Sequence, residues 1–225
     1  MRKSLLILAL LSSANTMSYA TTETLTFTGL KNLEPILNFY NGGTGGLGTT
    51  GGQNYGISFS SDSLAVVSQM DGGTGNFSNV PAPGLNTTAF FLNGAGDTMD
   101  VASGFNTGFS FFYAAANTPG TVSVFSGLDG MGTLLYTFNL AVNGSGCDRS
   151  GQPYDCWTEQ GIGFAGTARS VVFGGSANYI AFADVTLGAS TVVPVAATPE
   201  PSTLLMAGSG LLGLAGAVRR RLVRA

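Results

Sequence analysis

The chain has 225 residues, few of them charged, 34 glycines and no histidine. The lack of histidine excludes the usual serine and cysteine hydrolase triads, imidazole acid–base catalysis and the common zinc sites. Most basic residues lie at the two ends, so residues 21–198 hold three of them against eleven acids, a net charge of −8. Nucleic acid is therefore not expected as a partner, because phosphate binding needs clustered lysine or arginine.

The first 20 residues have the three parts of a secretory signal peptide. Arg2 and Lys3 form a positive start, residues 5–11 form an apolar stretch, and Ser18 to Ala20 form a small-x-small cleavage site. The apolar stretch is too short to span a bilayer. We therefore expect residues 1–20 to be removed and the exported chain to begin at Thr21.

Residues 21–187 are predicted to form one all-β domain. Apolar residues alternate with period two in eight short segments, and turns containing Gly, Asn, Asp or Pro separate the segments. This pattern predicts a sandwich of two β-sheets with a jelly-roll-like topology, without fixing the strand order. The segments are 25–27, 55–59, 109–113, 122–124, 134–140, 162–164, 171–173 and 180–182.

The stretch 42–52 is rich in glycine, with seven glycines in eleven residues. Gly43 to Gly48 fits the pattern G-x-G-x-x-G, which binds dinucleotides only where a strand leads into a helix N-terminus. Here the next segment, 55–59, alternates like a strand. A long glycine-rich loop is therefore the better interpretation.

Oxygen ligands for calcium are present around this loop. Asn38, Asn41 and Asp62 carry side-chain oxygens that could bind the ion together with backbone carbonyls of the loop. No dense acidic motif accompanies these residues. We therefore expect no obligatory cofactor, and calcium is the one candidate ion.

Cys147 and Cys156 are the only cysteines and enclose eight residues. In an exported protein such a pair predicts a disulfide that closes a short surface loop. A metal–thiolate site would need further soft ligands, which the sequence lacks. We therefore expect a structural Cys147–Cys156 bond.

The aromatic residues beside the second cysteine are candidates for carbohydrate contact. Tyr154 and Trp157 flank it, and Arg149 and Asp155 add polar groups that can hydrogen-bond to sugar hydroxyls. Alternatively, Trp157 caps the hydrophobic core beneath the loop. The sequence leaves both interpretations open.

The C-terminal end has three parts after an uncharged tether, residues 188–198. The parts are a polar motif (Pro199, Glu200, Pro201), an uncharged stretch 203–218, and a basic end 219–224 that includes Arg219, Arg220 and Arg221. As a helix, the stretch 203–218 would span about 24 Å of a bilayer core about 30 Å thick. We therefore expect one short transmembrane helix, with the arginines on the cytoplasmic side.

This order of motif, apolar helix and basic end resembles the PEP-CTERM sorting signal, here residues 199–224. In that family, typical of Gram-negative bacteria that produce exopolysaccharide, Pro199 to Pro201 would be the motif that an exosortase reads. The resemblance implies three steps. The protein is exported, it is anchored for a time in the inner membrane with its domain in the periplasm, and the exosortase then processes it. Its destination would be the outer surface or the extracellular matrix.

The exported body also resembles a recurrent kind of PEP-CTERM ectodomain, in the stretches 37–46, 54–59, 108–113 and 181–188. Related domains often carry an acid in the first strand and paired aspartates in the last. Thr28 and Ala183 stand at two of these positions here, which leaves Asp184 as the only acid for a calcium site between those strands. The candidate metal ligands are thus Asn41, Asp62 and Asp184.

These features predict a non-catalytic surface or matrix protein that interacts with extracellular polysaccharide as a lectin-like module. The alternative is a hydrolase or lyase that acts on this polysaccharide through a carboxylate pair. The candidate pairs are Asp97 with Asp100, and Asp148 with Asp155. Both pairs lie in sequence contexts that favour solvated turns, so we expect no enzyme.

Overall fold

The computed structural model describes residues 22–81, 85–147 and 151–193. These residues form two antiparallel sheets with a short 3-10 helix, Gln69–Asp71. In chain order the strands are β1 (Glu23–Leu25), β2 (Glu34–Pro35), β3 (Ile57–Phe59), β4 (Ser63–Val67), β5 (Thr87–Phe91), β6 (Gly96–Phe105), β7 (Phe109–Ala114), β8 (Gly120–Phe125), β9 (Leu134–Leu140), β10 (Thr158–Ile162), β11 (Ala168–Gly175) and β12 (Ala181–Leu187).

The predicted all-β fold of two sheets is confirmed. The first sheet has the order β10-β7-β12-β5-β4-β2, with β1 also paired to β12, and the second has the order β3-β6-β11-β8-β9. The chain passes between the sheets many times, as in jelly-roll-like sandwiches. The predicted signal peptide, the sorting motif and the membrane helix lie outside the described residues. Within the described residues, no helix is long and apolar enough to cross a membrane.

The core between the sheets is aromatic. Phe111 of β7 contacts Phe138 of β9 edge-on, with ring centroids 5.2 Å apart, and it also lies 6.5 Å from Phe173 of β11. All three rings are buried. Because successive strand residues point to opposite faces, the period-two alternation places these rings in one layer.

Strand β12 changes its partner part-way along its length. Phe182 pairs with Ala89 of β5, whereas Val185 pairs with Leu25 of β1 on the same side. Between these pairings, Asp184 has a positive φ of 48° and the register against β7 shifts. This β-bulge divides the sheet, so that one end of β12 lies beside β5 and the other beside β1.

The outer face of the first sheet carries a second hydrophobic cluster. Val66 and Phe90, from β4 and β5, pack with Phe77 of the following loop. Tyr154 and Trp157 pack against this cluster from the segment that follows the second cysteine. The sheet is therefore covered on both faces in this region, and the disulfide-bonded segment forms part of the cover.

The glycine-rich stretch 42–52 forms a loop held by the buried carboxylate of Glu34. A Cβ atom at Gly45 would lie 2.5 Å from Glu34 Oε1, so packing against this carboxylate requires glycine. The four donors to the carboxylate are the backbone N–H groups of Lys31 (2.8 Å), Leu47 (2.9 Å) and Thr49 (3.0 Å), and the Thr49 hydroxyl.

Candidate functional site

The Cys147–Cys156 disulfide is present, which confirms the prediction. Its Cα atoms are 5.5 Å apart, and Cys156 is buried whereas Cys147 is exposed. A loop of this length implies stabilisation of about 2–3 kcal/mol in the chain-entropy account. The bond ties the segment that carries Tyr154 and Trp157 to Cys147, in the loop after β9.

Asp155 forms hydrogen bonds that hold this segment in place. Its carboxylate is 3% exposed and accepts hydrogen bonds from Ser78 Oγ at 2.6 Å and from the Gln152 backbone N–H at 2.9 Å. A carboxylate that is buried and bonded in this way holds the loop together and does not face a ligand. This geometry argues against a sugar contact at Asp155, while Arg149 lies outside the described residues.

Trp157 is a half-buried cap over the second cluster. Its ring meets Phe77 edge-on, with centroids 6.2 Å apart. The indole N–H, the single polar atom of the side chain, donates to the Ser78 carbonyl at 2.8 Å. Of the two alternatives, the geometry favours the core cap over an exposed sugar platform.

Tyr154 lines a groove of about 160 Å³ on the outer face of the first sheet. Its backbone N–H donates to the Asn76 carbonyl at 3.3 Å, and its hydroxyl lies 3.4 Å from the Asn178 carbonyl. Burial of the ring, together with nearby Tyr179, raises the pKa of Tyr154. The hydroxyl thus remains protonated at neutral pH.

The groove combines an apolar floor with amide rims. Val66, Phe90 and Ile180 line its floor, and the exposed residues Asn76 and Asn178 lie along its edge. No charged residue lines it among the described residues. An aromatic ring beside amides, without charge, suits an uncharged ligand that offers both hydroxyl and C–H groups.

The candidate metal ligands lie on three different elements. Asn41 is exposed and donates from Nδ2 to Asn38 Oδ1 at 3.3 Å, Asp62 precedes β4, and Asp184 is buried at the bulge of β12. The described hydrogen bonds do not connect the three candidates. In the described part of the chain, no group of three or more His, Cys, Asp or Glu side chains could hold a metal ion. Calcium binding stays a prediction.

The first acid pair considered for catalysis, Asp97 and Asp100, has its two side chains on opposite faces of a sheet. Asp97 and Asp100 are both in β6 and three residues apart, so they point to opposite faces. Asp97 is 5% exposed, and burial raises its pKa to about 7. The expectation of a solvated turn was wrong for Asp97, which faces inward with Met99 and Val101. It was also wrong for Asp100, which lies within strand β6, and for the buried Asp155. The two carboxylates cannot flank one glycosidic bond.

Comparison with known families identifies a motif in the C-terminal part of the chain. Residues 197–221 match the family described as the PEP-CTERM protein-sorting motif. This chain carries a PEP-CTERM motif. The recognition made from the sequence is therefore confirmed, while the motif itself lies outside the described residues. No curated protein matches the chain.

Among solved structures, the chain is similar to the K2 adhesin domain of Lys-gingipain, with 12% identity and a TM-score of 0.45 over 75% of this chain and 100% of that domain. It is also similar to a carbohydrate-binding module from Cellvibrio mixtus lichenase 5A, with 13% identity and a TM-score of 0.36 over 57% and 88%. A β-1,3-glucan-binding module from Bacillus halodurans gives 17% and 0.34 over 57% and 87%. Likenesses this weak identify neither a family nor a ligand for the PEP-CTERM chain.

Proposed function

We propose that this is a non-catalytic exported protein, processed by an exosortase, that binds uncharged sugar units of the extracellular polysaccharide. The observation that carries the proposal is the PEP-CTERM motif at residues 197–221. It follows a disulfide-bonded β-sandwich and complements the signal peptide predicted at residues 1–20. The protein would be held in the inner membrane until processing and would then reach the outer surface or matrix.

The sugar contact is assigned to the groove beside Tyr154. A tyrosine ring held by a disulfide-bonded segment loses little conformational freedom on binding, which favours weak ligands such as sugars. The exposed amides of Asn76 and Asn178 can exchange hydrogen bonds with hydroxyl groups. The uncharged lining also fits a body whose net charge of −8 would repel acidic polysaccharide.

The competing proposal, a polysaccharide hydrolase or lyase, has little support from the geometry. One of its two acid pairs, Asp97 with Asp100, is divided between opposite faces of β6. In the other, Asp155 is buried and bonded to Ser78. Neither arrangement leaves two carboxylates facing one substrate within the described residues.

Binding to exopolysaccharide from the producing strain tests the proposal. The protein, purified from cells that export it, is titrated calorimetrically with this polysaccharide, and Tyr154→Ala is expected to weaken binding at least tenfold. Because the Tyr154 ring packs against the second cluster, this variant should also melt at a lower temperature, so the titration is made well below its melting transition. Tyr136→Ala is the matched control, because Tyr136 is a partly exposed tyrosine on β9 in the opposite sheet. Lack of binding by the unmodified protein, with or without calcium, would contradict the proposal.

A further inference from the structure

A second cleft, of about 470 Å³, lies between β1 and the glycine-rich loop. Thr24 of β1, with Thr26 and Thr28 of the segment that follows it, lines one side. Tyr55 and Gln53 line the other, together with the backbone of residues 51 and 52. The volume is within the range of about 300–1,000 Å³ that is typical of small-molecule sites.

The walls of this cleft are rigid although one of them is glycine-rich. Tyr55 stacks on Tyr40 with ring centroids 6.1 Å apart and planes 14° apart. Tyr40 is in turn fixed, because its buried hydroxyl accepts a hydrogen bond from the Phe27 backbone N–H at 2.8 Å. Glu34 holds the glycine-rich loop through its four hydrogen bonds. The cleft is thus formed before any ligand arrives.

The chemistry of the lining selects an uncharged, hydroxylated ligand. The groups it presents are the exposed Thr28 hydroxyl, the Gln53 amide, loop backbone and the partly exposed Tyr55 ring. The Thr24 hydroxyl is already engaged, because it donates to the Val193 carbonyl at 3.0 Å and lies 3.1 Å from the Thr186 hydroxyl. No charged residue lines the cleft in the described part of the chain. Burial raises the pKa of Tyr55, and the neighbouring carboxylate of Glu23, which is hydrogen-bonded to Tyr55, adds to this rise. The cleft offers no cation to pair with a carboxylated or phosphorylated sugar. A neutral pyranose can instead form hydrogen bonds with the polar groups and pack its C–H face on the Tyr55 ring.

The second cleft is separate from the groove beside Tyr154. The two share no lining residue. Thr24 of the cleft pairs with Thr186, near the end of β12, whereas the groove contacts Ile180 and Ala181 at its beginning. At about 3.3 Å per residue, the two sites lie roughly 17–20 Å apart along the chain of β12.

We propose that this cleft is a second binding site for neutral sugar units, so that one domain holds two polysaccharide segments and cross-links them. This inference rests on the proposed polysaccharide binding. It adds a second site and, as a consequence, the cross-linking of polysaccharide. Two weak sites on one rigid body engage a polymer more tightly than either site alone, because the second contact becomes intramolecular. When the two sites of one protein hold different polysaccharide chains, the protein cross-links the matrix.

Titration with oligosaccharides released from the same exopolysaccharide by partial hydrolysis tests the number of sites. The unmodified protein is expected to bind two oligosaccharides per chain, and Tyr55→Ala and Tyr154→Ala one each. Gln53→Ala repeats the test of the cleft with an exposed side chain, so that a folding defect of Tyr55→Ala cannot decide the outcome. Tyr136→Ala should retain both sites.

Light scattering by the intact polysaccharide then tests cross-linking. The unmodified protein should increase scattering strongly, whereas each single-site variant should bind without this increase. If the unmodified protein binds one oligosaccharide and only Tyr154→Ala removes it, the second site is refuted while polysaccharide binding stands. If the unmodified protein binds none, the proposed function itself fails.

Discussion

The buried carboxylate of Glu34 offers a sharp test of how the glycine-rich loop is ordered. Oε1 accepts from the backbone N–H groups of Leu47 and Thr49, and Oε2 accepts from the Lys31 N–H and the Thr49 hydroxyl. Glu34→Gln keeps the shape but replaces one oxygen with an NH₂ group, which faces donors. The Thr49 hydroxyl can turn to accept, but at least one partly buried backbone N–H loses its partner.

The magnitude follows from these contacts. An unsatisfied buried donor costs about 1–3 kcal/mol, and the remaining bonds weaken because they no longer end on a charge. We therefore expect Glu34→Gln to lower the free energy of unfolding by about 3–5 kcal/mol, measured by urea denaturation at pH 7. The matched control is Glu159→Gln, because exposed Glu159 accepts one backbone hydrogen bond, from Val192, and should change stability by less than about 1 kcal/mol.

The dependence on pH gives a second check. Burial alone would raise the pKa of Glu34, but the hydrogen bonds from Thr49, Lys31 and Leu47 outweigh it and hold the pKa below its ordinary value of 4.5. The contribution of the carboxylate is therefore present above pH 4.5 and is lost as the pH falls below that value. A loss under 1 kcal/mol in Glu34→Gln, with amide exchange of residues 42–52 unchanged, would refute the assigned role.

Three further outcomes follow from the described contacts. Cys147→Ser should cost about 2–3 kcal/mol of unfolding free energy, and thiol labelling of both cysteines in the exported protein would contradict the bond. Trp157→Ala should cost about 3–5 kcal/mol, as expected for a core cap, and an unchanged melting curve would favour a platform instead. Burial, with a smaller effect of Asp62, raises the pKa of Asp97 to about 7 from 3.8, so its contribution to stability should fall by roughly 4 kcal/mol as pH rises from about 4 to 7. Burial also raises the pKa of Asp184 to about 6, which adds to the fall in the same range. Asp97→Asn should therefore remove part of the fall in pH-dependent melting, and an unchanged profile would contradict this.

The fold class could be predicted from the sequence because strand alternation is a local property. Segments such as 109–113 and 134–140 carry apolar residues at every second position, and both are strands. The strand order could not be predicted, because each sheet pairs strands that are distant in sequence, such as β7 with β12. β2 has two residues and leaves no periodic signal.

The site was predicted in part, for similar reasons. The disulfide followed from composition and spacing, but the partner of the Trp157 indole, Ser78, lies 79 positions away and has no sequence signal. The burial of Asp97 did leave a signal, because Met99 and Val101 share its alternation and mark the inner face of β6. Glu34 was missed, because nothing local distinguishes it from an exposed acid.

The central claim is that this protein is exported and then processed at its PEP-CTERM motif. Intact-mass analysis of the protein extracted from the cell surface tests it most directly, in cells with and without the exosortase. The account predicts a mature chain that begins at Thr21 and ends close to Pro199–Pro201 in normal cells, and that keeps residues 204–224 when the exosortase is deleted. A mass that retains this tail in normal cells, unchanged by the deletion, would contradict the account.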